Sequence, residues 1–304
     1  MAKQSLPAYI QTYRSGKLAG KIRRAYEILE DCTLCPRQCH VNRIAGETGV
    51  CRTENQMIVA SFHSHFGEEA PLVGRNGSGT IFVTYCSLMC CFCQNYDISH
   101  EGWGEPVTDL QAAEMMLALQ KRGCHNINFV TPTHVVPHIL SALEKAIEGG
   151  LRIPLVYNSG GYERVETLRL LEGIFDIYMP DLKFMDTETA KRTCDAPDYP
   201  ETAKAALKEM HRQVGDLVIN DQGIAVQGLL VRHLVLPDDM AGTAEAMRFI
   251  AEEISPETYV NIMSQYRPMG RAAEIPGLLK PLSPEQYHEA VAAARKEGIT
   301  RLDR

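Results

Sequence analysis

A chain of 304 residues is long enough for one large domain or two ordinary ones, with a sizeable core. Hydrophobic residues make up 45% and charged residues 23%, a balance that excludes disorder as the main state. Thirty-one basic against thirty-eight acidic residues leave a net charge of −7 with no basic run, so neither nucleic acid nor an anionic membrane is expected as a partner.

The first residues carry no apolar segment between a charged start and a cleavage site, so no secretory leader is expected. The longest apolar-rich stretch, residues 81–93, falls short of the roughly 20 residues that span a bilayer, and a cytoplasmic protein is expected. An amphipathic stretch at 17–29 leads into the first of two cysteine groups, Cys32, Cys35, Cys39 and Cys51. Residues 58–62 are a strand candidate, and glycines at 74, 77 and 79 mark a turn. From residue 80, short apolar runs alternate with helical periodicity. Strands are predicted at 80–85, 126–130, 155–158, 175–179, 229–235 and 259–263. Helices are predicted at 110–122, with Thr108 as N-cap, and at 135–148, closed by Gly149-Gly150. Four more are predicted at 163–171, 201–214, 243–253 and 284–297.

This alternation argues for an α/β fold with a parallel sheet and right-handed crossovers. Six units suggest a partial (β/α)6 barrel of the TIM type, with its site at the C-terminal strand ends. A doubly wound open sheet is the alternative. No Gly-x-Gly-x-x-Gly follows a strand, which disfavours its dinucleotide-binding version. Residues 1–75 read as an N-terminal cysteine-rich, metal-binding extension and residues 76–304 as the core domain.

Eight of the ten cysteines fall in two clusters, with Cys124 and Cys194 alone; in a cytosolic chain this points to metal ligands rather than disulfides, because that compartment keeps thiols reduced. Cys86, Cys90 and Cys93 follow the first of the six strands. Their Cys-x3-Cys-x2-Cys spacing lets one loop supply three thiolates to a 4Fe–4S cluster, each on a different iron, and leaves the fourth iron open. Tyr85, Leu88, Met89 and Phe92 would shield the cluster. A zinc knuckle usually pairs two Cys-x2-Cys units, and only Cys90 and Cys93 fit that spacing here. Cys91 is off the spacing and reads as packed. Cys32-x2-Cys35-x3-Cys39-x11-Cys51 offers four thiolates, a closed shell that suits a second iron–sulfur cluster or a structural zinc. His40 reads as a surface residue, and His63 and His65 share one face of a strand.

The cysteine loop after the first strand resembles the signature of the radical S-adenosylmethionine (SAM) superfamily. Cys93-Gln-Asn-Tyr-Asp-Ile-Ser, Asn126-Ile-Asn-Phe-Val-Thr-Pro-Thr-His, Asp176-Ile-Tyr-Met-Pro-Asp-Leu-Lys, Arg232-His-Leu-Val-Leu-Pro and Ser264-Gln-Tyr-Arg-Pro are similar to blocks of the PflX group. That group comprises homologues of pyruvate formate-lyase-activating enzymes, and the resemblance covers nearly the whole chain. It implies that the open iron chelates SAM and that one electron from the reduced cluster cleaves the sulfonium. The products are methionine and a 5′-deoxyadenosyl radical, which takes a hydrogen atom from substrate.

The resemblance also implies a reductant such as flavodoxin or ferredoxin and, in an activase, a glycyl-radical enzyme as protein substrate. Chemistry on a small molecule or another protein side chain is the second reading. A non-catalytic iron–sulfur electron carrier or zinc-binding adaptor is the third. The chain lacks the ferredoxin-like cysteine insert that many activases carry. For SAM contacts the resemblance points to strand ends. Thr131 and Thr133 stand in place of the usual Gly-Gly-Glu turn, and a helix cap is the plainer role for Thr133. Asn158 and Ser159 end the third strand, and Asp181 and Lys183 the fourth, where an exposed rim pair is the bland alternative. Arg232 and His233 alternate on the fifth, so only one points inward. Gln265 and Tyr266 follow the sixth, with Tyr266 placed to stack on adenine.

Overall fold

The computed structural model describes residues 6–303; the first five residues of the segment read for a leader lie outside that range. Helices α1 (Ala8–Arg14) and α2 (Lys17–Glu30) precede the first cysteine loop and strand β1 (Met57–His65). A helical turn α3 (Ala70–Val73) leads to β2 (Ser78–Val83) and the second cysteine loop. Next come α4 (Tyr96–Ser99), β3 (Glu105–Val107), α5 (Asp109–Lys121), β4 (Ile127–Val130) and α6 (Val136–Glu148). They are followed by β5 (Leu155–Ser159), α7 (Val165–Leu170), β6 (Ile177–Pro180), α8 (Thr187–Cys194) and α9 (Tyr199–Val214). The chain closes with β7 (Val218–Ile219), β8 (Ala225–Leu234), α10 (Thr243–Phe249), β9 (Tyr259–Met263) and α11 (Pro284–Lys296).

Local chemistry sets several of these bounds. The Gln111 N–H donates to Thr108 Oγ1 at 3.2 Å while the Thr108 N–H donates to Gln111 Oε1 at 2.8 Å, a reciprocal cap that starts α5. Ser283 and Gln286 start α11 in the same way, with Pro284 at its first position. Past the end of α6, Gly150 takes φ +98°, a left-handed turn that stops the helix. The helix expected at 243–253 is regular only to Phe249 and continues as a π turn over Ile250–Ile254.

All six predicted strands are present, and they run parallel in the order β2-β4-β5-β6-β8-β9. The order follows the chain without reversal, so the sheet has no doubly wound switch point. β1 and β3 extend it antiparallel on the β2 side, and β7 pairs antiparallel with β8. No ladder among the described residues joins β9 back to the first strands, so the barrel is not closed. β5 and β6 are buried along their whole length, as parallel strands covered on both faces are.

One face of the sheet packs under the helices, where Phe129 and Tyr157 join Ile139 and Leu143 of α6 in the main core. Tyr9, Leu18 and Ala25 of the N-terminal helices belong to that same core. The Ala8 N–H donates to Asp176 Oδ1 at 2.8 Å, and Tyr9 Oη donates to the Ile153 carbonyl at 2.9 Å. On the other face Val156, Ile177, Met179 and Leu230 form a second apolar cluster. Side chains alternate along a strand, so this same face carries Asn158, Asp181 and Arg232 further towards the C-terminal strand ends. No helix among the described residues is long and apolar enough to cross a membrane.

Candidate active site

The C-terminal ends of all six parallel strands meet at one cavity of about 230 Å³. Cys86, Cys90 and Cys93 line it from the loop after β2, with Leu88 and Phe92 between them. Tyr85 and Met89 in this loop have φ of +71° and +58°, a left-handed conformation that non-glycine residues hold only when the surroundings impose it. Those surroundings are backbone contacts. The Cys91 N–H donates to the Thr193 carbonyl at 2.8 Å, and the Cys91 carbonyl accepts from the Arg271 N–H at 2.7 Å. Arg37, from the first cysteine group, donates to the carbonyls of Ser87 (3.1 Å), Leu88 (3.2 Å) and Cys194 (2.6 Å), and also to that of Asp195. Its guanidinium lies over the Tyr162 ring at 5.4 Å.

All ten cysteines are free. Burial pushes the Cys86 thiol up to about 12 and raises that of Cys93, while the neighbouring Cys194 and then burial raise that of Cys90. Such thiols stay protonated and inert unless a metal takes the proton's place. No three Cys, His, Asp or Glu side chains among the described residues gather around a single-ion position. Thiols spread around one cavity instead fit the corners of a cluster, so the residues present suit a 4Fe–4S centre.

Opposite the thiols stands a charged wall. Asp181 accepts from Lys183 Nζ at 2.6 Å and from Arg232 Nε at 2.8 Å. Arg232 Nη2 also donates to Asn158 Oδ1 at 2.6 Å, and Nη1 lies 3.5 Å from Glu68. Burial alone would raise Asp181, but the Arg232 and Lys183 charges hold its carboxyl below the usual range. The Asp181–Lys183 pair is therefore an inner wall and not an exposed rim, with side chains 10% and 15% accessible. Gly161 lets this wall form: its φ is +75°, and a Cβ there would strike the Asp181 carbonyl.

The predicted SAM contacts divide. Thr131, Asn158, Ser159, Asp181, Lys183, Arg232 and Gln265 all line the cavity. Thr131 does so with φ +59°, its N–H donating to the Asn158 carbonyl at 2.8 Å. Thr133 is not among the lining residues: it is buried, and its hydroxyl donates to Glu163 at 2.6 Å instead of capping a helix. Tyr266 is also outside the cavity; its hydroxyl donates to the Leu278 carbonyl at 2.5 Å and its ring meets the edge of Phe92. Of the alternating pair Arg232 faces in, whereas His233 is buried behind it, donating to Leu182 and facing the Thr243 hydroxyl. Gln94, Asn95 and Ser99 line the cavity too; they lie in the block at 93–99 that carries the resemblance, but sequence pattern gave them no site role. A separate cavity of about 300 Å³, between α10 and α11, is lined by no cysteine.

The first cysteine group forms a second cradle. Cys32, Cys35, Cys39 and Cys51 line one small cavity with Arg43, Gly49 and His134. His40 is outside it, exposed and paired with Asp31 at 2.9 Å. His63 and His65 do share one strand face, where His63 stacks on Phe82 and His65 meets both rings edge-on.

Residues 80–224 match the radical SAM superfamily. An uncharacterized protein of Methanocaldococcus jannaschii is 33% identical over 288 residues, which cover 92% of this chain and 78% of that protein. The chain belongs to the radical SAM superfamily. Membership implies an enzyme that binds a 4Fe–4S cluster and SAM.

Proposed function

We propose that the protein cleaves SAM reductively at this cavity, on a partial (β/α)6 barrel, with Cys86, Cys90 and Cys93 as the ligands of a 4Fe–4S cluster. One observation carries the reading: the three thiols and the wall of Asp181, Lys183 and Arg232 line the same space. When bound, the cluster and SAM supply a 5′-deoxyadenosyl radical for hydrogen-atom abstraction. The chain's own residues bind, orient and exclude water. Arg232 offers a fork for a carboxylate, and Asn158, Ser159 and Gln265 offer neutral polar groups for the remaining polar atoms of the cofactor. Leu88, Phe92, Leu234 and Met263 give the cavity its apolar side.

The electron comes from a small reductant of the flavodoxin or ferredoxin kind, and the free thiols suit a reducing cytoplasm. The substrate is a hydrogen donor that enters the cavity, from a small molecule or a protein side chain. Activation of a glycyl-radical enzyme finds no support in the comparisons. The four N-terminal cysteines complete a closed metal site beside this one.

Protein reconstituted without oxygen and given dithionite and SAM is expected to release 5′-deoxyadenosine, and the Cys90→Ala variant none. Well-loaded wild-type protein that releases none would leave an iron–sulfur carrier as the function. Electron paramagnetic resonance on mixtures with glycyl-radical proteins tests the activase form directly.

A further inference from the structure

We propose that Cys32, Cys35, Cys39 and Cys51 hold a second iron–sulfur cluster and not a zinc ion, with the buried guanidinium of Arg43 as its counter-charge. No residue that lines this site lines the SAM cavity, and the inference does not depend on how that cavity is used.

Space decides between the two metals. A zinc ion draws four sulfurs to about 2.3 Å from one point, which leaves no room between them. Here no three donors converge in that way. The four thiols instead line a small void that still admits a water-sized sphere, about 10 Å³. Leu34, Val41 and Gly49 complete its wall. In a cubane the irons stand off the centre and the thiolates stand off the irons, so its ligands surround a space of this kind. The backbone closes in on the sulfurs as well. A Cβ on Gly49 would lie 2.5 Å from Cys39 Sγ, and the Val50 N–H donates to that sulfur at 3.4 Å.

A buried charge calls for an anion at this site. Arg43 is 1% exposed, the largest fully buried side chain among the described residues. It donates to the Glu54 carbonyl from Nε (3.3 Å) and Nη2 (2.8 Å), and its Nη1 lies 3.9 Å from Cys32 Sγ. Among the described residues no carboxylate pairs with it. A guanidinium buried without a counter-ion is strongly unfavourable, and neutral thiols do not supply one. Four thiolates around a cluster do. His134, 1% exposed, also lines the void; its Nε2 donates to the Thr84 carbonyl at 2.8 Å and its Nδ1 has no hydrogen-bond partner.

The test separates the two sites. A Cys86→Ala/Cys90→Ala/Cys93→Ala variant, reconstituted without oxygen with iron, sulfide and equimolar zinc, is expected to keep about four irons per chain. Its reduced spectrum is expected not to respond to SAM. One zinc and no iron in that variant overturns the proposal, and so does the absence of both metals. Where the triple variant fails to fold, wild-type protein serves: about eight irons support a second cluster, and about four irons with one zinc overturn it. Wild-type protein with no SAM-responsive cluster, beside a triple variant that keeps its iron, overturns the proposed function and leaves this inference standing. In Arg43→Gln the potential of the second cluster is expected to move negative, and in Arg43→Lys to return. An unchanged potential in a loaded Arg43→Gln variant overturns the counter-charge role.

Discussion

Arg232 reaches inward from β8 to Asp181 and Asn158, with Glu68 beside it, so its fork is already oriented for an anionic group in the cavity. A hydrogen bond to a charged group contributes roughly 1.5–3 kcal/mol, so Arg232→Met is expected to weaken SAM binding about 10- to 100-fold. Titrating SAM against the resonance of the reduced cluster measures this; unchanged affinity would remove Arg232 from the cofactor site. Glu163 calls for a different experiment. Burial pushes its carboxyl up to about 7, although the Thr133, Tyr157 and Ser159 hydroxyls act to lower it. The unfolded chain releases this proton near pH 4.5 and the folded chain holds it to about 7. The native state therefore binds more protons across that window, and stability from this group falls as pH rises, by about 3 kcal/mol in all. Urea unfolding of Glu163→Gln at pH 5 and pH 8 is expected to show a smaller loss at the higher pH than wild type. Equal losses would mean that Glu163 is ionised at neutral pH. The cysteines proposed as ligands were legible because their spacing carries the reading. Arg37, Arg43 and Glu163 were not, since a buried polar residue is written with the same letter as a solvated one.

At the scale of elements, the Cys86–Cys93 loop is held from three directions: by Thr193 of α8, by Arg271, and by Arg37 across the molecule. Arg37→Ala strips donors from four carbonyls at once and is expected to cost on the order of 3 kcal/mol in urea unfolding. Arg37→Lys is expected to recover less than half of it, because an ammonium cannot fork across several acceptors. Full recovery would reduce Arg37 to a point charge. The six parallel strands were readable as apolar runs of strand length. β3 and β7 were not, being 3 and 2 residues long and largely exposed. α8 escaped because Thr-Glu-Thr-Ala-Lys-Arg-Thr-Cys shows no apolar stripe. Its start was nonetheless written in Asp186, whose carboxylate accepts from the Thr189 N–H at 2.7 Å.

At the scale of the whole molecule, the N-terminal helices and β1 are built into the same core and sheet as the six parallel strands. A chain shortened to begin at residue 32 leaves the α6 face without Leu18 and Ala25, each buried to 1% or less. It is expected to unfold at lower temperature and to be cut by protease within the sheet; resistance equal to that of the full chain would mean the strands stand alone. Sequence pattern foresaw the six-unit alternation but not this fusion, because nothing in the periodicity of α2 names the surface that it covers. The tethering of the ligand loop has a practical consequence. Protein groups tie its backbone from three sides, so air that bleaches the iron centre is expected to leave the polypeptide ready to be recharged in place, and the brown colour to return with ferrous salt and sulfide without a refolding step.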